Sequence, residues 1–270
     1  MRLRIAQSML HRYDPAAAGV IQVLRLTPRN HEGQFVIDWR IDISADVRLN
    51  AHEDAFGNLI HVFTADGPFE ALSVKVNGEV ETQDTNGVVR GAVERFPPNL
   101  FLRDTSLTQA DSRIRDFARD VRAADGGNVL AELHGLMERL HDEMTGEADA
   151  SPAAPTAVDA FARKRGVARD VTHVFIAAAH SLGIPARYVA GYFSAAGAAE
   201  TIAEDGGHAW AEAFVPGLGW VGFDAVNCVC PTDAYVRVAV GLDTLGTAPV
   251  RGTRYGAGDE TVAVAIKVDQ

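Results

Sequence analysis

Cysteine is nearly absent: the chain has two in 270 residues, Cys228 and Cys230, and thiols one residue apart cannot staple distant segments. No histidine or thiolate cluster accompanies them, so they read as plain thiols in a reducing compartment, with no structural metal site and no cofactor expected. No apolar run is long enough to cross a bilayer and no signal-like segment follows Met1, so the expectation is a cytoplasmic protein without a membrane partner. Positive charge is also short. Against 36 Asp and Glu stand 25 Lys and Arg, a formal net charge of −11 scattered along the chain, so a phosphate backbone would meet repulsion and nucleic acid is excluded as a partner. No repeat of fixed period occurs.

What is present is a globular balance, 47% hydrophobic and 23% charged, long enough for two unequal domains. Residues 1–100 alternate β-prone runs ("RLRIAQSMLHRY", "GVIQVLRLTP", "GQFVIDWRIDI", "HVFTA", "ALSVKVNGEVET") with turn signals ("PAAAG", "PRNHEG", "EDAFGN", "DTNG"), which predicts an N-terminal antiparallel β-domain. Asn77-Gly78, between valine-bearing runs, predicts a tight hairpin turn.

Residues 101–155 predict a helical pair and connector. Thr108 and Asp111 have capping-box spacing for a helix over about 108–124, and Leu133, Leu136, Met137 and Leu140 mark one stripe of a second helix that stops near Gly146. "EADASPAAP" at 147–155 reads as the connector. Thr156 and Asp159 repeat the capping signal for a short helix ending at Gly166. Residues 156–270 then form the core. From Val167 to Leu182 almost every turn is apolar on more than one face, predicting a helix buried on most sides, and "ARYVAGYF", "HAWAEAFV" and "WVGFDAV" follow as antiparallel strands. "ETVAVAIKVDQ" alternates as a last strand of the same domain. The fold class is therefore α+β.

Three residues sit at element ends where chemistry is easiest to build: Ala168 in the first turn of the buried helix, His208 at the start of one strand and Asp224 near the end of the next. A helix N-terminus lowers a thiol pKa and offers N–H donors to an oxyanion, a histidine supplies the base, and an aspartate orients it. Only the thiol is missing. If His208 and Asp224 act together they must share a sheet face, which requires opposed residue numbers with an even sum. Direct opposition centres the turn on Pro216, giving a three-residue connection Val215 to Gly217, or a longer loop corrected by a bulge.

"GVARDVTHVFIAAAHSLGIPARYVAGYF", "GGHAWAEAFVPGLGWVGFDAVN" and "CPTDAYVRVAVGLD", in that order over about residues 155–260, resemble the transglutaminase-like superfamily, in its bacterial branch read as cysteine proteases. "MRLRIAQSMLHRY", "LRLTPRNHEGQ" and "DAFGNLIH" resemble the N-terminal β-domain of that branch. The resemblance implies a papain/transglutaminase-like core and a Cys-His-Asp triad with the cysteine at position 168, His208 and Asp224. The family commonly reads Asp-Pro-Thr/Ala-Asn where this chain has Asp224-Ala225-Val226-Asn227, a mild departure. Ala168 is the larger one, since a methyl group attacks no carbonyl.

The expected activity is a cysteine hydrolase of peptide or side-chain amide bonds, held inactive by a Cys-to-Ala replacement, engineered rather than natural because its surroundings are intact. A natural non-catalytic peptide binder, a crosslinking transamidase and a recognition role for the N-terminal domain are the alternatives. The expected partner is a peptide or protein amide, and self-association into a homo-oligomer is compatible. Asp170, Arg187, Tyr188 and Trp210 are candidate substrate contacts, although Asp170 equally stabilises the helix turn, Arg187 and Tyr188 could pair with an acidic neighbour, and Trp210 could be a packing anchor. Trp210 and Glu212 share the strand face of His208. His173 and His180, one heptad apart, lack a third ligand at helical spacing and read as core or groove residues.

Overall fold

The computed structural model describes residues 1–146, 155–194 and 207–270; all of the expected connector except Pro155 lies outside them. The N-terminal region is built on two long strands. β1 (Arg2–Thr27) and β4 (Leu59–Thr82) pair antiparallel, with β2 (Gln34–Ile43) and β3 (Asn50–Glu53) along β4. The separator "PAAAG", expected as a break, is instead one side of a bend shared with Gly67-Pro68 on β4: Ala17 pairs with Phe69 and Gly19 with Asp66, with register shifts on either side of Ala17. Each shift changes which side chains face inward. Leu3, Ile5, Met9 and Tyr13 are buried before the bend, and Val20, Leu24 and Leu26 after it.

The hairpin expected at Asn77-Gly78 is not formed. Both residues lie inside β4, where Gly78 stands opposite Ile5 on one side and Trp39 on the other. A Cβ at 78 would fall 2.1 Å from the Trp39 ring, so this glycine makes room for an indole rather than for a turn. After β5 (Val88–Val89) and a 3-10 turn at Pro98–Leu102 come α1 (Ser112–Asp125) and α2 (Val129–Glu143). The first of these starts later than its capping signal suggested: Asp111 is the N-cap, accepting from the Ile114 N–H at 3.0 Å, while the Thr108 hydroxyl accepts from the Thr105 N–H in the preceding turn.

β6 (Thr145–Gly146), α3 (Ala157–Arg163) and β7 (Arg165–Gly166) lead into α4 (Ala168–Ser181), which is buried from Arg169 to Ala179. β8 (Ala186–Phe193), β9 (His208–Val215), β10 (Gly219–Phe223) and β11 (Tyr235–Gly241) then form the second sheet, ordered β11-β8-β9-β10-β5. Small side chains at Ala186, Ala209, Ala211 and Ala213 let α4 lie close on one face of it, with α1 and α2 packed beyond through Ile114, Phe117, Leu133 and Leu136. Among the described residues no helix is long and apolar enough to cross a membrane.

Beyond the short helix α5 (Thr244–Thr247), the chain returns to the N-terminal sheet. β12 (Val250–Tyr255) and β13 (Asp259–Asp269) both pair with β1, so the tail expected within the core completes the other domain. Alternation reveals a strand but not its neighbour. The two sheets meet at β11, whose outer edge would expose unpaired backbone. Two side-chain amides cover it: Gln34 exchanges two hydrogen bonds with the Arg237 backbone, and Asn58 does the same with Val240, over 2.8–2.9 Å.

Candidate active site

The 14 residues of α4 span about 21 Å at 1.5 Å per residue. Its C-terminus turns through Gly183 into β8, which runs back along it, and β9 begins opposite the end of β8, with His208 paired to Gly191. β10 returns antiparallel to that same end, where Asp224 follows it. Ala168, His208 and Asp224 therefore lie toward one end of the helix-and-sheet unit. At the start of α4, Val167 is extended and the Asp170 carboxylate accepts from its N–H at 3.2 Å, fixing the turn that begins with Ala168.

His208 Nε2 is 2.6 Å from Asp224 Oδ2. A carboxylate accepts, so Nε2 carries the proton and the lone pair of the neutral ring is on Nδ1. The turn that produces this contact differs from the expectation by one residue. Val215 pairs with Gly219 across a three-residue connection centred on Gly217, not Pro216, and both Gly217 and Gly219 have positive φ. The even sum survives, so both side chains share a face, but Trp210 rather than His208 falls in line with Asp224. The dyad is a diagonal pair, spanned because imidazole and carboxylate reach along the strands.

Asp224 is 1% exposed and fully partnered. Its Oδ2 also accepts from the Tyr235 hydroxyl and the Asn227 side-chain amide, both at 2.7 Å, while Oδ1 accepts from the backbone of Val226 and Asn227. Burial pushes this carboxyl up, but the hydrogen bonds from His208, Tyr235 and Asn227 outweigh it and hold it below the usual carboxylate range. Burial, with the same carboxylate, pushes the Tyr235 phenol far upward, so it remains a donor. The His208 ring is boxed by Phe193, Tyr235 and Trp210, with centroids 5.4 to 6.3 Å away.

None of the four expected substrate contacts is open to solvent: Asp170 is 3% exposed, Arg187 1%, Tyr188 3% and Trp210 2%. Asp170 serves the helix turn and Arg169. Arg187 is a structural cation, bound to Glu212 and Glu94 and stacked 3.9 Å from the Trp220 ring centre. Tyr188 packs on His173 on the helix side, and Trp210 packs on Tyr235. Glu212, on the strand face of His208, is buried between Arg187 and Arg237. His173 accepts from the Thr244 N–H, and His180 bonds Asp104 and the Ala186 carbonyl. Among the described residues no cluster of three His, Cys, Asp or Glu side chains could hold a metal ion. Neither cysteine is primed for attack, since burial raises both thiols, Cys230 to about 11.

Tyr235 and Asn227 are the dyad partners that sequence reasoning gave no role. Asn227 was visible as the end of the Asp224 motif, and Tyr235 as the first aromatic of the strand that starts at the same sheet end.

Comparison with known proteins agrees with this architecture. Residues 3–81 match the bacterial transglutaminase-like N-terminal region and residues 115–225 the transglutaminase-like superfamily, so the core match begins at α1, earlier than the motifs suggested. An uncharacterized protein of Mycobacterium leprae is 27% identical, covering 99% of this chain and 98% of its own, and one of Mycobacterium tuberculosis is 23% identical, covering 99% and 92%. A solved structure of a candidate cysteine protease from Cytophaga hutchinsonii superposes with a TM-score of 0.75 at 18% identity, over 100% of this chain and 90% of its own, which establishes a shared fold. The chain belongs to the transglutaminase-like superfamily, with a bacterial transglutaminase-like N-terminal region ahead of its core.

Proposed function

We propose that this chain is a cysteine-type amide hydrolase scaffold, acting on peptide or side-chain amides, whose nucleophile position is occupied by Ala168 and which is inactive for that reason. The observation that carries the reading is the His208–Asp224 pair at 2.6 Å, buried and braced by Tyr235 and Asn227, at the end of the sheet toward which the N-terminus of α4 lies. With a thiol at 168, His208 Nδ1 takes its proton, sulfur bonds to the amide carbonyl carbon, and helix-terminal N–H groups face the oxyanion. The C–N bond then breaks, the imidazolium returns the proton to the leaving amine, and water splits the thioester to a carboxylic acid and the thiol.

The intact surroundings of position 168 support a single introduced replacement, a point decided by the codon in the source gene. Ala168→Cys is the test of activity. Restored turnover of a peptide or glutamine-amide library, abolished by iodoacetamide and by adding His208→Ala, is the expected result. A variant that iodoacetamide alkylates but that cleaves no amide overturns the hydrolase reading in favour of a peptide binder, and amine incorporation in place of hydrolysis makes it a transamidase.

A further inference from the structure

Away from this site, a cleft of about 360 Å³ opens in the N-terminal sheet where β12 and β13 approach β1. His11, Tyr13 and Gln22 line it at 4%, 5% and 5% exposure. Each has one polar atom shielded from solvent and without a hydrogen-bond partner: His11 Nε2, Tyr13 Oη and Gln22 Oε1. Gln7, on the same inner face of β1, is by contrast bonded to the Tyr192 hydroxyl. An unpartnered buried polar atom is destabilising, so three around one cleft, where leucine or valine would pack, ask for something to bind.

The chemistry of the wall narrows the ligand. His11 Nδ1 lies 2.8 Å from Glu260 Oε1, so Nδ1 holds the proton and Nε2 offers a lone pair. Gln22 Oε1 is a second acceptor. The Tyr13 hydroxyl, held protonated by burial and by Glu260 at about 12, both donates and accepts. Arg254 and Glu260, of opposite charge, also line it, beside Thr253 and three valines. A cation would meet Arg254, and an anion would meet Glu260 and two acceptors. Hydroxyl groups, each donor and acceptor at once, suit every one of these partners.

We propose that this cleft binds a neutral polyhydroxylated ligand of monosaccharide size, a second site separate from the amide chemistry. Its volume lies within the ordinary range for small-molecule pockets. Saturation-transfer NMR on the full chain with D-glucose, D-galactose and N-acetylglucosamine tests it. At least one sugar receives transfer, and Gln22→Leu weakens its binding about tenfold, the worth of one lost hydrogen bond. Val262→Trp at the rim, where the native side chain is 50% exposed, closes the mouth without disturbing the core and abolishes transfer. No transfer from any of the three sugars, or equal transfer in both variants, overturns the proposal. So does a Gln22→Leu chain that gains stability while the parent binds no sugar, the behaviour of a wall that holds water alone. The readout does not depend on position 168, so its failure leaves the amide reading intact.

Discussion

The two faces of the five-stranded sheet are held by different forces. On the helix side, alanines at 209, 211 and 213 meet the apolar surface of α4, and stability comes from close packing over a broad area. The opposite face carries Arg187, Glu212, Arg237, Trp210 and Trp220, with Glu94 and Phe101 reaching over from the segment between the domains. Charge on that face is tolerated because each group is paired: burial pushes the Glu212 carboxyl up, but two arginines outweigh it and hold it at about 2. His208 and Asp224 share the strand parity of the charged face, yet sit at the sheet end toward which α4 begins. A packed face tolerates no added volume, while a charged face tolerates no missing partner.

Breaking the charged face should cost most. Glu212→Leu leaves Arg187 with Glu94 alone and strips Arg237 of its carboxylate, an expected loss of about 3–5 kcal/mol by urea unfolding. A loss near zero would mean that the arginines reach water and that this face is ordinary surface. Overfilling the packed face is next: Ala213→Leu, at a position with 0% exposure, should cost about 1–3 kcal/mol without changing the urea midpoint's response to pH.

Acid sensitivity does not distinguish the faces, because it falls on both. Burial, helped by Arg169, holds His173 on the helix side at about 4, and burial with Arg237 does the same for His31 on the charged side, against an ordinary 6.5. The unfolded chain takes up those protons first, so the contribution of these two histidines to stability should be flat above pH 6.5 and fall as pH drops from 6.5 toward 4. Glu212 adds a second loss between 4.5 and about 2, where the unfolded carboxyl protonates and the folded one does not. His31→Gln should remove about one proton's worth of the first slope, measured as stability against pH. An unchanged slope would show that His31 titrates freely.

Much of the core was legible because its signals are local. The apolar periodicity of 167–182, the stop at Gly183 and the parity rule linking His208 to Asp224 each depend on residues close in sequence. The long N-terminal strands were misread for the opposite reason. "PAAAG" and Asn77-Gly78 carry turn chemistry, but a pairing partner more than forty residues away turned one into a shared bend and Trp39 filled the space above the other. Which of the two readings offered for Arg187 the fold favours was not legible either, since its burial depends on Glu94, 93 positions earlier.

By itself, the sequence determined the element types, the order of the site residues and the methyl group at 168, because these follow from side-chain chemistry and short-range periodicity. Only the tertiary structure decided that β12 and β13 return to β1, that Tyr235 and Asn227 brace Asp224, and that the turn centres on Gly217. Strand partners and buried charges are chosen by contacts distant along the chain, and local patterning carries no record of them.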